Sequence, residues 1–218
     1  MYKFINDNAE AILEETENTY KDGLRGYIEC YLKTHDLGKL NSTNKEKNEY
    51  IHNYKTFYAM NAAHIKKEYN EKFYNEYFSI LCLGKKIPLD ELIDRLQKET
   101  HSIQFSFATK LLHTLDHNLP IFDKYIEAFF LFPDRQGKKT ICLDIYDFLK
   151  DEYQRINDCG LLSDAINAFK EKIEKIDLLP KITNEKIIDF YIWQFSKMMK
   201  DPMQMKGNGF RKKIKYEM

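Results

Sequence analysis

Arginine is scarce in this sequence: only Arg25, Arg95, Arg135, Arg155 and Arg211 contribute to a basic total of 34, and the acidic total is also 34. A dense comb of planar guanidinium forks for bidentate phosphate contacts is therefore excluded, and zero net charge gives no overall steering toward nucleic acid or an anionic membrane. Cysteine is sparse too, at Cys30, Cys82, Cys142 and Cys159, with no CxxC pair. Free thiols in a reducing compartment are expected rather than a disulfide framework or a thiolate metal knot. No apolar run approaches the roughly 18 residues that cross a bilayer. The start, MYKFINDNAEAILEETE, lacks the basic and apolar segments of a signal peptide. A cytoplasmic protein with no membrane partner is the expectation. Glycine-rich phosphate loops, dinucleotide fingerprints and serine nucleophile elbows are also missing, since Gly207 and Gly209 are two glycines in a tail.

What the chain does have is helical periodicity. Hydrophobic residues make up 43% and charged residues 31%, enough to build a core and too apolar for disorder. Asp7 or Asn8 suits the start of a first helix running toward Tyr20, with Gly23 and Gly26 as punctuation. HDLGKLNSTN reads as a loop. From Lys45 to Leu83, aromatic and aliphatic residues recur at spacings of three and four, the stripe of amphipathic helices on a shared core. Gly84 and Pro88 close that section. LDELIDRLQKE follows, with Asp90 and Glu91 at the positive helix end and Leu89, Leu92, Ile93 and Leu96 on its buried side. After Pro133, helices are expected from about Leu143 to Asn157, from a Ser163 cap to a break at Pro180, and from a Thr183 cap through Ile187, Ile188, Tyr191, Ile192 and Phe195. No strand ladder or repeat appears. The class is all-α: a compact multi-helix domain over residues 1–200, with any subdomain break near 84–88, and a basic tail over 201–218.

The chemistry concentrates in Ile103 to Phe132. Phe107, Ala108, Leu111, Leu112 and Leu115 share one face of a helix, and Thr109, Lys110 and His113 point away from its centre. Pro120 ends that helix, and Asp123 fits the cap of the next, Lys124 to Phe132. A lysine amine of lowered pKa can attack an electron-poor carbon such as a sugar C1′, and a carboxylate can stabilise a cationic sugar. FATKLLHTLDHNLPIFDKYI resembles the second hairpin helix, loop and aspartate of helix-hairpin-helix DNA glycosylases, and is most similar to the 8-oxoguanine DNA glycosylases. KIIDFYIWQFSK resembles the final helix of small proteins of that fold.

The resemblance implies a glycosylase-like fold that excises a damaged purine from double-stranded DNA by base flipping, with strand nicking to follow. Lys110 would be the Schiff-base nucleophile and Asp123 the stabilising carboxylate. Lys138 and Lys139, with Arg211, Lys212 and Lys213 of the tail, would meet phosphate. Two departures stand against the family pattern. THSIQFSFA holds no glycine where the hairpin carries them, and the loop from Lys110 to Asp123 is short. The alternative is a non-catalytic helical module that binds nucleic acid or a protein, with Lys110 solvated and Asp123 only a cap.

No metal or cofactor is expected. His113 and His117 have a chelating spacing, but no third ligand is evident in sequence, and His35 and His52 read as surface residues. Tyr54, Tyr58, Tyr69, Tyr74 and Tyr77 could stack bases, but their helical spacing favours the core.

Overall fold

A computed structural model of the chain describes residues 1–20, 22–60, 65–135, 137–174 and 182–200. Among these, every regular element is helical: α1 (Tyr2–Asp7), α2 (Ala9–Thr19), α3 (Gly23–Lys33), α4 (Asn44–Phe57), α5 (Lys67–Leu83), α6 (Leu89–Thr100), α7 (Phe105–Leu115), α8 (Lys124–Phe130), α9 (Lys139–Asp158), α10 (Ser163–Glu174) and α11 (Asn184–Lys200), with a short 3-10 turn at Leu37–Asn41. The all-α class read from the sequence holds. No helix among the described residues is long and apolar enough to cross a membrane.

Helix ends follow local chemistry. Thr43 and Glu46 form a reciprocal capping box at the start of α4. The Lys39 ammonium and the Thr43 and Ser42 hydroxyls around Glu46 hold its carboxyl down at about 2. Gly84 ends α5 in the left-handed region at φ 62°, where a Cβ is disfavoured. Pro88 precedes α6, whose Leu89, Leu92, Ile93 and Leu96 are buried as the periodicity expected. Thr183 caps α11, its hydroxyl accepting from Lys186 N at 3.2 Å.

Other boundaries differ from the expectation. The first helix is two, α1 and α2, interrupted at Asn8, whose side chain donates back to Phe4 O instead of capping α2. The segment after Gly23 is the regular helix α3. Ser163 is the first residue of α10 rather than its cap. Asn6 of α1 does that work instead: its Oδ1 accepts from Ala165 N at 3.1 Å and its Nδ2 donates to Leu161 O. A long-range cap of this kind leaves no local sequence signature. The break expected at Pro180 and the basic tail lie outside the described residues.

The contacts cluster into two compact units. Among the described residues, the first comprises those within 1–28, 123–132 and 149–200, and the second those within 29–122 and 133–148. The boundaries fall inside α3 and α9 and on either side of α8, and residues 84–88 lie within the second unit. In the first unit α2 packs on α10 and α11, and α8 lies along α11. Ile187, Ile188, Phe190, Tyr191 and Ile192 of α11 are fully buried, each such side chain stabilising by roughly 1.5–3 kcal/mol relative to exposure. The same helix carries an ion pair the sequence did not disclose. Lys186 Nζ lies 2.8 Å from Asp189 Oδ2, with only 5% and 7% of the two side chains exposed.

In the second unit α5 packs against α6 and α7, α6 against α7, and the 3-10 turn against α4 and α5. Tyr54, Tyr58 and Tyr77 are buried and Tyr69 and Tyr74 half-buried, so the tyrosine stripe belongs mainly to this core.

Candidate functional site

Helix α7 of the second unit is held by side-chain hydrogen bonds on two sides. The helical wheel had placed Thr109 and His113 away from the buried face. Both are in fact buried, at 0% and 1% exposure, because each finds a polar partner far along the chain. The Thr109 hydroxyl accepts from Phe122 N at 3.0 Å, and its own proton is shared between the Ser106 and Phe122 carbonyls. Apolar periodicity cannot anticipate a buried polar residue whose partner comes from elsewhere.

A second set of bonds fixes the other side of α7. The Tyr77 and Tyr54 hydroxyls are bonded at 3.0 Å, and Tyr54 is bonded to the Thr114 hydroxyl at 2.9 Å. The ends of this network land on α7's own backbone: Tyr77 donates to Phe107 O and Thr114 to Lys110 O. Burial pushes both tyrosines far above the ordinary phenol value, so they stay protonated donors.

Lys110 lies between these anchors. It is half-buried, its Nζ donates to the Tyr58 carbonyl at 3.2 Å, and it sits 5.1 Å from the centre of the Phe107 ring. Asp123 belongs to the first unit and caps α8 as expected. Its Oδ1 accepts from both Tyr125 N and Ile126 N, at 2.8 and 3.0 Å. Helix α7 ends at Leu115, well before Pro120, and α8 ends at Phe130.

A cleft of about 350 Å³ opens at the N-terminus of α7, lined by residues 102–107 with Asp134, Arg135, Gly137 and Cys142. The Arg135 guanidinium stacks over Phe122 at 4.8 Å and Phe105 at 6.0 Å. Of the lysines expected to meet phosphate, Lys138 is exposed, while Lys139 is half-buried and pairs with Asp94 at 2.6 Å. Arg211, Lys212 and Lys213 lie outside the described residues.

The structure brings together one group that the sequence reading had dismissed. His35, taken as a surface residue, is half-buried and stands with His113 and His117 so that one ligand atom from each lies within 4.8 Å of the others. The His35 and His117 rings meet edge to face at 4.0 Å. His113 Nδ1 is 2.6 Å from Leu119 O, and its Nε2 is 2.9 Å from the Tyr31 hydroxyl. Burial pushes His117 below the ordinary imidazole value, against the opposing pull of the His113 backbone and Asp116. A third imidazole therefore stands beside the His113–His117 pair, two residues beyond the end of α3. His52 is exposed, as expected.

The chain matches no protein-family model, none of the curated proteins and no solved structure.

Proposed function

We propose that this protein is a DNA base-excision glycosylase-like protein acting on a damaged purine, with Lys110 as nucleophile and Asp123 as the stabilising carboxylate. The observation that carries the reading is the anchoring of α7. The Tyr77 hydroxyl holds the Phe107 carbonyl, Lys110 Nζ rests on the Tyr58 carbonyl, and the Thr109 hydroxyl accepts from Phe122 N. A covalent catalyst on a rigid, laterally braced helix meets the need for a pre-positioned attacking atom.

In this reading Lys110 Nζ leaves the Tyr58 carbonyl and, as the free amine the attack requires, bonds to C1′ of the flipped nucleotide. The glycosidic C–N bond breaks and the base departs with a proton. The sugar ring then opens to give an imine between C1′ and Nζ. Asp123 uses Oδ1 for the helix cap, and its carboxylate charge favours the cationic sugar as the bond breaks.

The test is release of free base from duplex DNA carrying 8-oxoguanine, comparing the wild-type chain with Lys110→Gln and Asp123→Asn. Asparagine also caps helices, so the second change keeps α8 and removes only the negative charge. Release by the wild type and its loss in both variants supports the reading. Release that survives Lys110→Gln refutes the assigned nucleophile.

A second reading, a nucleic-acid-binding module without catalysis, is favoured by the cleft beside α7. Its lining residues include Arg135, Ser102 and Ser106 at a helix N-terminus, a setting suited to a phosphate. In that case duplex DNA binds with an affinity that falls steeply with salt, Arg135→Ala weakens it, and no base is released.

A further inference from the structure

We propose that His35, His113 and His117 form a three-histidine site for a divalent transition-metal ion of the zinc type. The proposal stands on its own geometry and does not depend on the roles assigned to Lys110 and Asp123.

The donor set decides the class of ion. Three imidazoles suit zinc, copper, nickel or cobalt, whereas magnesium and calcium take oxygen ligands. The ligand atoms lie within 4.8 Å of one another. A tetrahedral zinc with bonds of about 2.0–2.1 Å places its nitrogens roughly 3.3 Å apart, so closing the site requires only a short inward movement. Two of the three ligands are placed to make it. His35 lies two residues beyond the end of α3, with its backbone N–H on Leu32 O at 3.1 Å, and His117 two beyond the end of α7; both are half-buried, and movement about the side-chain bonds brings their rings inward.

His113 supplies the fixed point. A carbonyl only accepts, so Nδ1 carries the proton donated to Leu119 O, and Nε2 presents its lone pair, now accepting from the Tyr31 hydroxyl. A backbone carbonyl on the far nitrogen is the partner that commonly sets the tautomer and ring plane of a metal-bound histidine. The ion takes over the Nε2 lone pair and frees the Tyr31 hydroxyl, a nearby oxygen for a metal-bound water in the fourth position. The C-terminal ends of α3 and α7 carry the partial negative charge of their helix dipoles, which favours a cation beside them.

The experiment uses the full chain, stripped with a chelator, titrated with Zn²⁺ by calorimetry and with Co²⁺ by visible absorption. The variants are His35→Gln and His117→Gln, both at half-buried positions, with folding checked by circular dichroism. The expected result is one ion per chain and an intense tetrahedral cobalt spectrum without a thiolate charge-transfer band. Each variant should lower affinity by at least about 100-fold, beyond the roughly 10–100-fold lost when only an orienting partner is removed. No saturable binding by the wild type overturns the proposal. So does binding that both folded variants retain, or a thiolate band that assigns the ion to the cysteines.

Discussion

Thr109→Val tests the clasp that joins α7 to the 120–122 segment. Valine has nearly the same shape and is also β-branched, so helix propensity changes little. What disappears is the hydroxyl that accepts from Phe122 N at 3.0 Å. Phe122 is 1% exposed and Thr109 fully buried, so water cannot replace the lost acceptor. A buried donor left unsatisfied costs about 1–3 kcal/mol, and for a chain of this length each kcal/mol lowers Tm by about 2–4 °C. The variant should therefore melt about 2–12 °C lower and show a matching loss in urea unfolding. Thr109→Ser keeps the hydroxyl and loses one methyl, so it should cost about 1 kcal/mol. A valine variant within about 0.5 kcal/mol of wild type, the range of ordinary surface changes, would refute the clasp.

Further outcomes follow from the same reasoning. Asp189→Ala leaves the Lys186 ammonium buried in the first unit without its 2.8 Å partner. A loss of about 3–5 kcal/mol is expected in urea unfolding, while replacing both residues with apolar ones of similar volume should recover much of it. Glu46 has its carboxyl held at about 2, below its ordinary 4.5. A depressed carboxyl contributes stability that is fully present above its unfolded value and is lost as pH falls through the folded one. The α4 cap should therefore weaken between about pH 4.5 and 2, and Glu46→Gln should remove that part of the pH dependence, read from unfolding midpoints across the range. Asn6→Ala removes the acceptor for Ala165 N and should destabilise by about 0.5–2 kcal/mol, as lost helix caps do, measured by thermal melting.

How far the sequence could be read depended on whether the decisive contacts were local. The stripe of α6, the left-handed end of α5 at Gly84, the Asp123 cap and the buried face of α11 all follow from residues within one or two turns, and each was legible. Thr109 and His113 were misplaced because their partners, Phe122, Tyr31 and Leu119, lie outside the helix that a wheel represents. The Asn6 cap of α10 failed to show for the same reason. Lys186 and Asp189 have the spacing of an ordinary surface pair, and only tertiary packing puts them inside. His35 was missed as a third imidazole because it lies just beyond the end of α3, far from His113 in the chain, beside an aspartate that made it look solvated. The pairing of Lys110 with Asp123 came from their places near two helix starts and from a resemblance, and its chemistry is a proposal.

The central claim, covalent base chemistry at Lys110, is tested most directly by borohydride trapping. Wild type and Lys110→Ala are incubated with duplex DNA carrying 8-oxoguanine or an abasic site, reduced, and resolved by denaturing electrophoresis. A cross-linked species formed by the wild type and absent from the variant is the expected result. Its absence with the folded wild-type protein on both substrates, or its persistence in Lys110→Ala, would contradict the assignment.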